Sequence, residues 1–386
     1  MSGVINELMR FENMYLSSVP DKKVCAYHID DVHIKQFIRR NSEKGFCDYC
    51  KRNVQVIELE RLMVFIMEGI SNFYCDAVHF MSYNSREGGY LGQIYDKSEL
   101  IIDEVGLDID PDELLDDIVN SIDDVAWSDP DKHYGSESDF LKYQWTNFSQ
   151  IVKHKSRYLF YSGDFEEDGN VLKILNEVGR IVSSLRLVQR IQAGTVLYRC
   201  RQHCSSDKVK NAEDIVSPPI SRAIISNRFS PSGIPMFYGA SDESLAILET
   251  ISYTDTSRDC ITTGKFELKE DIFVVDFCRL PEIPSIFGLK DKKKYYLICF
   301  LHELVNDFTK EIEKDGQEHI EYVPTQIITE FLRFPFNEKR KTKIQGLVYP
   351  SSKDKRNSAT VLFWNNKESL ENLLFKGLKE DKIDLL

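Results

Sequence analysis

Residues 227–249 hold the side chains of this chain that are best suited to chemistry. The sequence NRFSPSGIPMFYGASDESLAILE places Arg228, a Gly/Pro turn, the aromatic Tyr238 and the helical carboxylate Glu249 in quick succession, and Arg199 precedes them. An arginine suits phosphate groups, an aromatic ring suits a base, and a carboxylate suits a sugar. This order of residues favours a site for an anionic nucleotide.

These residue types match what is needed to break the nicotinamide–ribose bond of NAD⁺. The leaving group is already cationic, so no general acid is needed, and a carboxylate can stabilise the developing oxocarbenium ion. The donor fork of arginine suits a pyrophosphate. We expect Glu249 to be buried beside the ribose, with the arginines in the same cleft. The residue types alone do not identify NAD⁺.

A second group of residues has the spacing of metal ligands. Cys25-x2-His28 is followed, after eighteen residues, by Cys47-x2-Cys50. Two close pairs joined by a loop can surround Zn²⁺ tetrahedrally. All four positions are then protein ligands, which predicts a structural zinc ion without an open catalytic position.

The first half of the chain has mainly helical patterning. Apolar residues at helical spacing predict a helix within 56–80. A second helix is predicted from Asp110, with Pro111 at its first position. Residues 128–139 predict a loop. A helical region therefore follows a small cysteine-bearing module.

The second half mixes strands and helices. The predicted strands contain β-branched and aromatic residues between turn signals. They cover residues 194–200, 236–240, 266–277, 346–352 and 359–364. Residues 266–277 are expected to form either a hairpin or two separate strands. Helices are predicted over 242–253, capped by Asp242 or Ser241, and over 368–378. The fold class is therefore α+β.

Composition limits the class of protein. The chain has 386 residues, a net charge of −13 and nine cysteines. The acidic balance argues against a nucleic-acid or anionic-membrane surface, although residues 196–230 hold six Lys/Arg against three acids. With no apolar run near the ~20 residues that span a bilayer, no signal core and an odd cysteine count, we expect a cytoplasmic protein.

Five motifs in the second half carry a resemblance to a known family. They are LYRCR, NRFSP-x-G-x-P-x-FYGA, A-x-x-E, EYVPTQ and GLVYPSS. Together they resemble the RES domain, over about residues 194–375. The resemblance implies an ADP-ribosyltransferase-like fold, NAD⁺ as substrate, and a toxin of a toxin–antitoxin pair that degrades NAD⁺ or transfers ADP-ribose to a protein.

The resemblance also implies roles for individual residues. Arg199 and Arg228 match the two family arginines that grip phosphate or ribose oxygens. Tyr238 matches the ring-side tyrosine and Glu249 the carboxylate beside the nicotinamide ribose. Arg201 is either a further ligand-binding residue or a surface ion-pairing residue.

The family serine has more than one candidate in this sequence. Thr325 lies in the P-T-Q motif, whereas Ser351 and Ser352 follow a late strand. We favour Thr325 as the hydroxyl near nicotinamide and keep Ser351 and Ser352 as alternatives in the binding site.

The N-terminal half resembles the HEPN-type helical domain with a zinc-binding start, although Cys25-x2-His28 stands where a cysteine pair is usual. HEPN ribonucleases use an Arg-x4–6-His motif. Within residues 1–190 no arginine has a histidine five to seven positions later, so RNA cleavage is not supported. A packing, dimerisation or target-sensing role is expected.

The sequence therefore predicts a zinc-binding module (1–55), a helical HEPN-like domain (56–190) and a RES domain (191–378). The predicted function is a toxin-like enzyme that cleaves the nicotinamide–ribose bond of NAD⁺ by hydrolysis or phosphorolysis. The alternatives are an ADP-ribosyltransferase acting on a protein and a non-catalytic nucleotide sensor. Expected partners are NAD⁺, a cognate antitoxin or protein target, and a second copy of the chain through the helical domain.

Overall fold

The computed structural model describes residues 14–159, 171–252, 257–289, 291–312, 316–338, 340–354 and 356–383. The chain forms two compact units. The first contains Met1–Phe140 and Glu282–Leu297, and the second contains Leu141–Pro281 and Ile298–Leu386. The domain limits 1–55, 56–190 and 191–378 stay a prediction, because the two units are groups of residues that pack together and need not coincide with domains.

The first unit combines short strands with helices. Its strands are β1 (Lys23–Cys25), β2 (Glu43–Phe46), β3 (Asn53–Glu58), β4 (Cys75–Asp76), β5 (Tyr83–Asn84), β6 (Gly89–Tyr90) and β7 (Trp127–Ser128). Its α-helices are α1 (Val32–Asn41), α2 (Leu59–Ile70), α3 (Lys97–Glu99), α4 (Asp112–Asn120) and α5 (Pro130–Tyr134). Single turns of 3₁₀- or π-helix lie at Ala77–His79, Leu100–Glu104 and Ile286–Gly288.

A three-stranded antiparallel sheet and α2 form the core of the first unit. The sheet order is β1-β3-β2, and Val56 of β3 pairs with Cys25 of β1. Along α2 the buried residues recur every three or four positions, as in Leu59, Met63 and Ile66, which is the pattern of a helix with one face in the core.

Three predictions for the first half need correction. The helix predicted within 56–80 covers only Leu59–Ile70, because the preceding residues pair as β3. The predicted loop 128–139 contains α5, which begins where Asp129 caps a helix with proline at its first turn. The helix predicted from Asp110 begins two residues later, at Asp112.

The second unit is built on one large sheet. Its strands are β8 (Val188–Ile191), β9 (Val196–His203), β10 (Phe237–Ala240), β11 (Cys260–Leu268), β12 (Ile272–Asp276), β13 (Ile344–Pro350), β14 (Ser358–Leu362) and β15 (Leu373–Lys382). Their order is β15-β11-β9-β10-β14-β13-β12-β8. The pairs are antiparallel except β12 with β13, which is parallel.

Helices complete the chain. Those that follow α5 are α6 (Glu137–Gln150), α7 (Val171–Ser184), α8 (Ala212–Ile215), α9 (Glu243–Thr250), α10 (Lys292–Thr309), α11 (Glu318–Glu321), α12 (Val323–Arg333), α13 (Pro335–Glu338) and α14 (Asn366–Asn372). Single turns of 3₁₀- or π-helix lie at Ile151–Lys155, Ile220–Arg222 and Phe277–Arg279. Asp242 is confirmed as the cap of α9, because its side chain accepts hydrogen bonds from Ser244 N and Leu245 N.

The mixed α and β content confirms the α+β class. The residues after Phe266 form two separate strands, since β11 lies between β15 and β9 and β12 lies between β13 and β8. The closing helix predicted over 368–378 is wrong in its second half. Residues from Leu373 onward form β15, where Phe375 pairs with Phe266 and their ring centroids lie 5.6 Å apart.

In the part of the chain that the structure describes, no helix combines the length and the apolar character needed to cross a membrane.

Candidate functional site

The four predicted metal ligands lie together in the first unit. The ligand atoms of Cys25, His28, Cys47 and Cys50 all lie within 4.8 Å of one another. The sulfurs of Cys25 and Cys50 are 3.8 Å apart, and the Cys47 sulfur is 3.5 Å from His28 Nε2. Because Cys25, His28 and Cys47 are buried, the cluster is a closed one.

Neighbouring groups fix the ligands. His28 Nδ1 lies 2.6 Å from the carbonyl oxygen of Asp110, so Nδ1 carries the proton and Nε2 is left to face the thiols. Burial raises the pKa of Cys47, but hydrogen bonds from the backbone N–H groups of Cys50 and Tyr49 outweigh it and lower the pKa to about 7. A thiolate at this position suits a metal cation.

The two arginines of LYRCR lie on β9 of the second unit. Arg199 donates from Nε to the Ile215 carbonyl (2.6 Å) and from Nη1 to the Tyr238 carbonyl (2.8 Å). Arg201 donates to the Asp214 carbonyl (2.8 Å). Burial lowers the pKa of Arg199 to about 10, so it stays cationic at neutral pH. Both guanidinium groups therefore present positive charge at the C-terminal end of α8.

Tyr238 organises the turn that precedes it. Its hydroxyl accepts a hydrogen bond from Phe229 N (3.3 Å) and lies 2.9 Å from Ser230 Oγ. Gly233 has φ +88°, a left-handed conformation that favours glycine, and its N–H donates to the Ala223 carbonyl at 2.6 Å. Burial raises the pKa of Tyr238 to about 12. The tyrosine and the glycine thus shape the NRFSPSG turn.

Arg228 is held by the end of a helix. Its Nη1 donates to the Phe308 carbonyl and its Nη2 to the Lys310 carbonyl (2.7 Å), at the C-terminus of α10. Its guanidinium carbon lies 5.5 Å from the centre of the Tyr322 ring. The arginine that the resemblance assigned to a ligand therefore also caps a helix.

Glu249 and Ser351 are in direct contact. The Ser351 hydroxyl donates a hydrogen bond to Glu249 Oε1, and its oxygen accepts from Lys353 N (3.0 Å) and Asp354 N (3.3 Å). Glu249 lies near the end of α9 and is exposed, so the expectation that it is buried is wrong. Ser351, only 1% exposed, fixes the carboxylate while leaving it accessible.

Two tyrosines that sequence reasoning did not single out lie beside this pair. The Tyr349 ring packs on Phe229 with 4.5 Å between centroids. Burial raises the pKa of Tyr349 well above its usual value, and the charge of Glu249 raises it further. Burial also raises the pKa of Tyr322, where Glu249 again contributes and Arg228 opposes. Both residues lie within motifs of the resemblance, EYVPTQ and GLVYPSS, which was the available signal.

The other hydroxyl candidates lie in different surroundings. Thr325 is 6% exposed on α12, and its carbonyl accepts from Thr329 Oγ1 at 2.8 Å. Its neighbour Gln326 donates to Ser226 Oγ and to the Asn227 carbonyl, each at 2.8 Å. Ser352 is half-buried. The P-T-Q motif therefore braces the start of the NRFSPSG turn through its glutamine.

A cavity of about 500 Å³ opens near the end of β9. It is lined by polar and charged residues that include Arg201, His203 and Thr250. Glu249, Tyr238 and Ser351 are not among the residues that line it. The His203 ring nitrogens contact the Cys204 carbonyl and Thr262 Oγ1, each at 2.8 Å, so this histidine is used within the fold.

Some of the predicted nucleotide-site residues contact or influence one another. Contacts join Arg199 to Tyr238 and Glu249 to Ser351, and the charges of Glu249, Tyr238 and Arg228 all act on Tyr349. The carboxylate of Glu249, the guanidinium of Arg228 and the rings of Tyr322 and Tyr349 thus lie close enough to interact, whereas Arg199 reaches this group only through the backbone carbonyl of Tyr238. These groups can bind an anionic ligand that carries a ring and develops positive charge.

Two family models match the chain. The HEPN/RES N-terminal domain 1 matches residues 40–165 and the RES domain matches residues 196–374. No curated protein matches the sequence. The RES match contains all of the residues predicted for the nucleotide site, whereas Cys25 and His28 precede the first match. RES domains are associated with toxins that act on NAD. The chain is therefore a RES domain protein that carries an HEPN/RES N-terminal domain.

Proposed function

We propose that the second unit cleaves the nicotinamide–ribose bond of NAD⁺, by hydrolysis or phosphorolysis, on an ADP-ribosyltransferase-like sheet. The contact between Ser351 and Glu249, next to Tyr349 in a RES domain, is the observation that carries this proposal. A carboxylate that is fixed and yet exposed can meet the ribose as positive charge develops on it. The match to the RES family supports NAD⁺ as the substrate class.

Each residue has a proposed role. Glu249 stabilises the ribosyl cation, and Ser351, rather than Thr325, takes the role of the family serine because it bonds Glu249. Arg199 supplies positive charge for the diphosphate. Two of its N–H groups bond carbonyls, so its position is set before a ligand arrives, and preorganised charge of this kind is effective in binding sites.

Replacing Glu249 with glutamine tests the proposal. The Glu249→Gln variant, incubated with NAD⁺ and followed by mass spectrometry of every product, should lose NAD⁺ consumption by about 10²–10³-fold. Glu243→Gln is the matched control, because Glu243 lies at the other end of the same helix and pairs with Lys379. Equal NAD⁺ consumption by both variants and the unaltered chain would remove Glu249 from the mechanism.

We also propose that the cysteine–histidine cluster binds a structural zinc ion. A tetrahedral ion with Zn–S of about 2.3 Å and Zn–N of about 2.0–2.1 Å separates two sulfurs by about 3.8 Å and a sulfur and a nitrogen by about 3.5 Å. The Cys25–Cys50 and Cys47–His28 separations are 3.8 Å and 3.5 Å. Three thiols and one imidazole fit zinc.

A second candidate function is transfer of ADP-ribose to a protein. Ile220, Ile224 and Ile225 are 72%, 76% and 65% exposed on the segment that leads into Arg228. Exposed apolar side chains next to a site can seat a protein acceptor. The test uses NAD⁺ that is labelled in its adenosine part. Transfer is favoured if the label becomes attached to protein and if this attachment is lost when the three isoleucines are replaced by serine. Free labelled ADP-ribose or its phosphate favours hydrolysis or phosphorolysis.

A further inference from the structure

Tyr349 is placed on the side of the sheet where Glu249 is held. Tyr349 pairs with Ala359 of β14, which pairs with Ala240 of β10, and directly paired residues share a face of the sheet. Ala240 packs against α9, the helix that carries Glu249. Ser351 bonds Glu249, and the Tyr349 ring packs on Phe229, next to Arg228 in sequence. The contact with Phe229 therefore fixes the Tyr349 ring, and the Ser351–Glu249 bond brings the carboxylate to the end of the same strand.

The hydroxyl of Tyr349 is not used within the described part of the fold. Among the described residues it has no hydrogen-bond partner, unlike Tyr238, whose hydroxyl contacts Phe229 N and Ser230 Oγ. Tyr349 is half-buried, and its hydroxyl is not among the buried polar atoms without a partner, so the oxygen is open to solvent and can be reached by a ligand. Its raised pKa keeps the phenol protonated at neutral pH, so it can donate a hydrogen bond.

We infer that Tyr349 binds substrate, its hydroxyl donating a hydrogen bond to the nicotinamide riboside half of the dinucleotide, an inference that rests on the proposed function. In the proposed function the carboxylate of Glu249 lies beside the ribose carbon whose bond to nicotinamide breaks. A donor beside that carboxylate meets the ribose oxygens or the carboxamide oxygen, which are the acceptors on that half of the molecule. The inference assigns Tyr349 to this half of the dinucleotide and not to the adenosine half.

The test removes only the hydroxyl. Tyr349→Phe keeps the ring that packs on Phe229, so folding is preserved and thermal unfolding checks it. Loss of one hydrogen bond should lower kcat/KM for NAD⁺ by about five- to tenfold. Tyr143→Phe is the control, since Tyr143 is 65% exposed in the same unit, and its kcat/KM should not change.

A binding measurement separates a local role from general distortion. In a Glu249→Gln background, where NAD⁺ turnover should be about 10²–10³-fold slower, Tyr349→Phe should weaken NAD⁺ binding about five- to tenfold. Binding of ADP, which lacks the nicotinamide riboside half, should stay the same. Equal weakening of both ligands, or no weakening of NAD⁺, overturns the inference.

The outcomes also distinguish this inference from the proposed function. If the unaltered chain consumes NAD⁺ and Tyr349→Phe matches it in kcat/KM and binding, the inference about Tyr349 is overturned and the proposed function stands. If the unaltered chain neither consumes nor binds NAD⁺, both are overturned.

Discussion

Replacing Arg228 with lysine tests which contacts hold the site in place. The guanidinium donates to the carbonyls of Phe308 and Lys310 at the end of α10 and lies over the Tyr322 ring. The last carbonyls of a helix have no partner within the helix, and a cation there is favourable. Arg228→Lys keeps the charge but loses the planar fork that reaches two carbonyls at once.

The size of the effect follows from these contacts. A hydrogen bond to a charged group contributes about 1.5–3 kcal/mol when buried. Arg228 is only half-buried, so we take about 1–2 kcal/mol for the one bond that lysine cannot make. In a unit of this size 1 kcal/mol shifts Tm by about 2–4 °C. We therefore expect Tm to fall by about 2–8 °C.

The assay is thermal unfolding followed by circular dichroism, with Arg222→Lys as the matched control. Arg222 is exposed on the 3₁₀ turn that leads into the same loop, and its replacement should leave Tm unchanged. Equal Tm values for Arg228→Lys and Arg222→Lys would show that the two carbonyl contacts contribute nothing measurable, which refutes the capping role.

Three further changes probe other parts of the molecule. Gly346→Ala should destabilise the protein by about 1–3 kcal/mol, measured by denaturant unfolding, because the new Cβ would clash with Val361 O and lie 3.2 Å from Leu362 Cα; unchanged stability would mean that β13 can shift to make room. Zinc removal by a chelator should lower Tm, and elemental analysis should find one zinc per chain beforehand; a metal-free stable protein contradicts the zinc proposal. Ser351→Ala should slow NAD⁺ consumption by about 10–100-fold, whereas Thr325→Val should change it less than about twofold; the reverse ranking would return the serine role to Thr325.

Elements with strong local signals could be predicted from the sequence. Asp242 is followed by a helical pattern and caps α9 through the N–H groups of Ser244 and Leu245. The metal-ligand spacing of Cys25, His28, Cys47 and Cys50 depends on two short loops, and the four ligand atoms do lie together. In both cases the residues that decide the structure are close in sequence or follow a fixed pattern.

Elements that depend on a distant partner could not be predicted. Residues from Leu373 onward become β15 because they pair with β11, more than a hundred residues earlier. In the same way, residues 53–58 form β3 because β1 and β2 lie on either side of it. Helical spacing in the sequence contains no information about such pairing, so tertiary contacts override the local preference.

The hydroxyl that contacts Glu249 is a matter of tertiary structure for the same reason. Thr325 and Ser351 are both hydroxyl residues within recognisable motifs of this sequence, and no local pattern indicates which one faces α9. The structure gives Ser351 the contact because β13 ends beside α9. The exposure of Glu249 was missed because a motif gives a residue's type and position, and not its accessibility.

Tyr238 joins the cationic and the aromatic parts of the site. Its carbonyl accepts a hydrogen bond from Arg199, and its hydroxyl holds Phe229 N and Ser230 Oγ. Phe229 in turn packs on Tyr349. The half-buried Arg199 is therefore held by the backbone of Tyr238, and the segment that carries Phe229 is held by its hydroxyl. Tyr238, which the resemblance assigned to the nicotinamide ring, thus also has a structural role. Its replacement would disturb the neighbouring residues of the site even where Tyr238 itself makes no contact with a ligand.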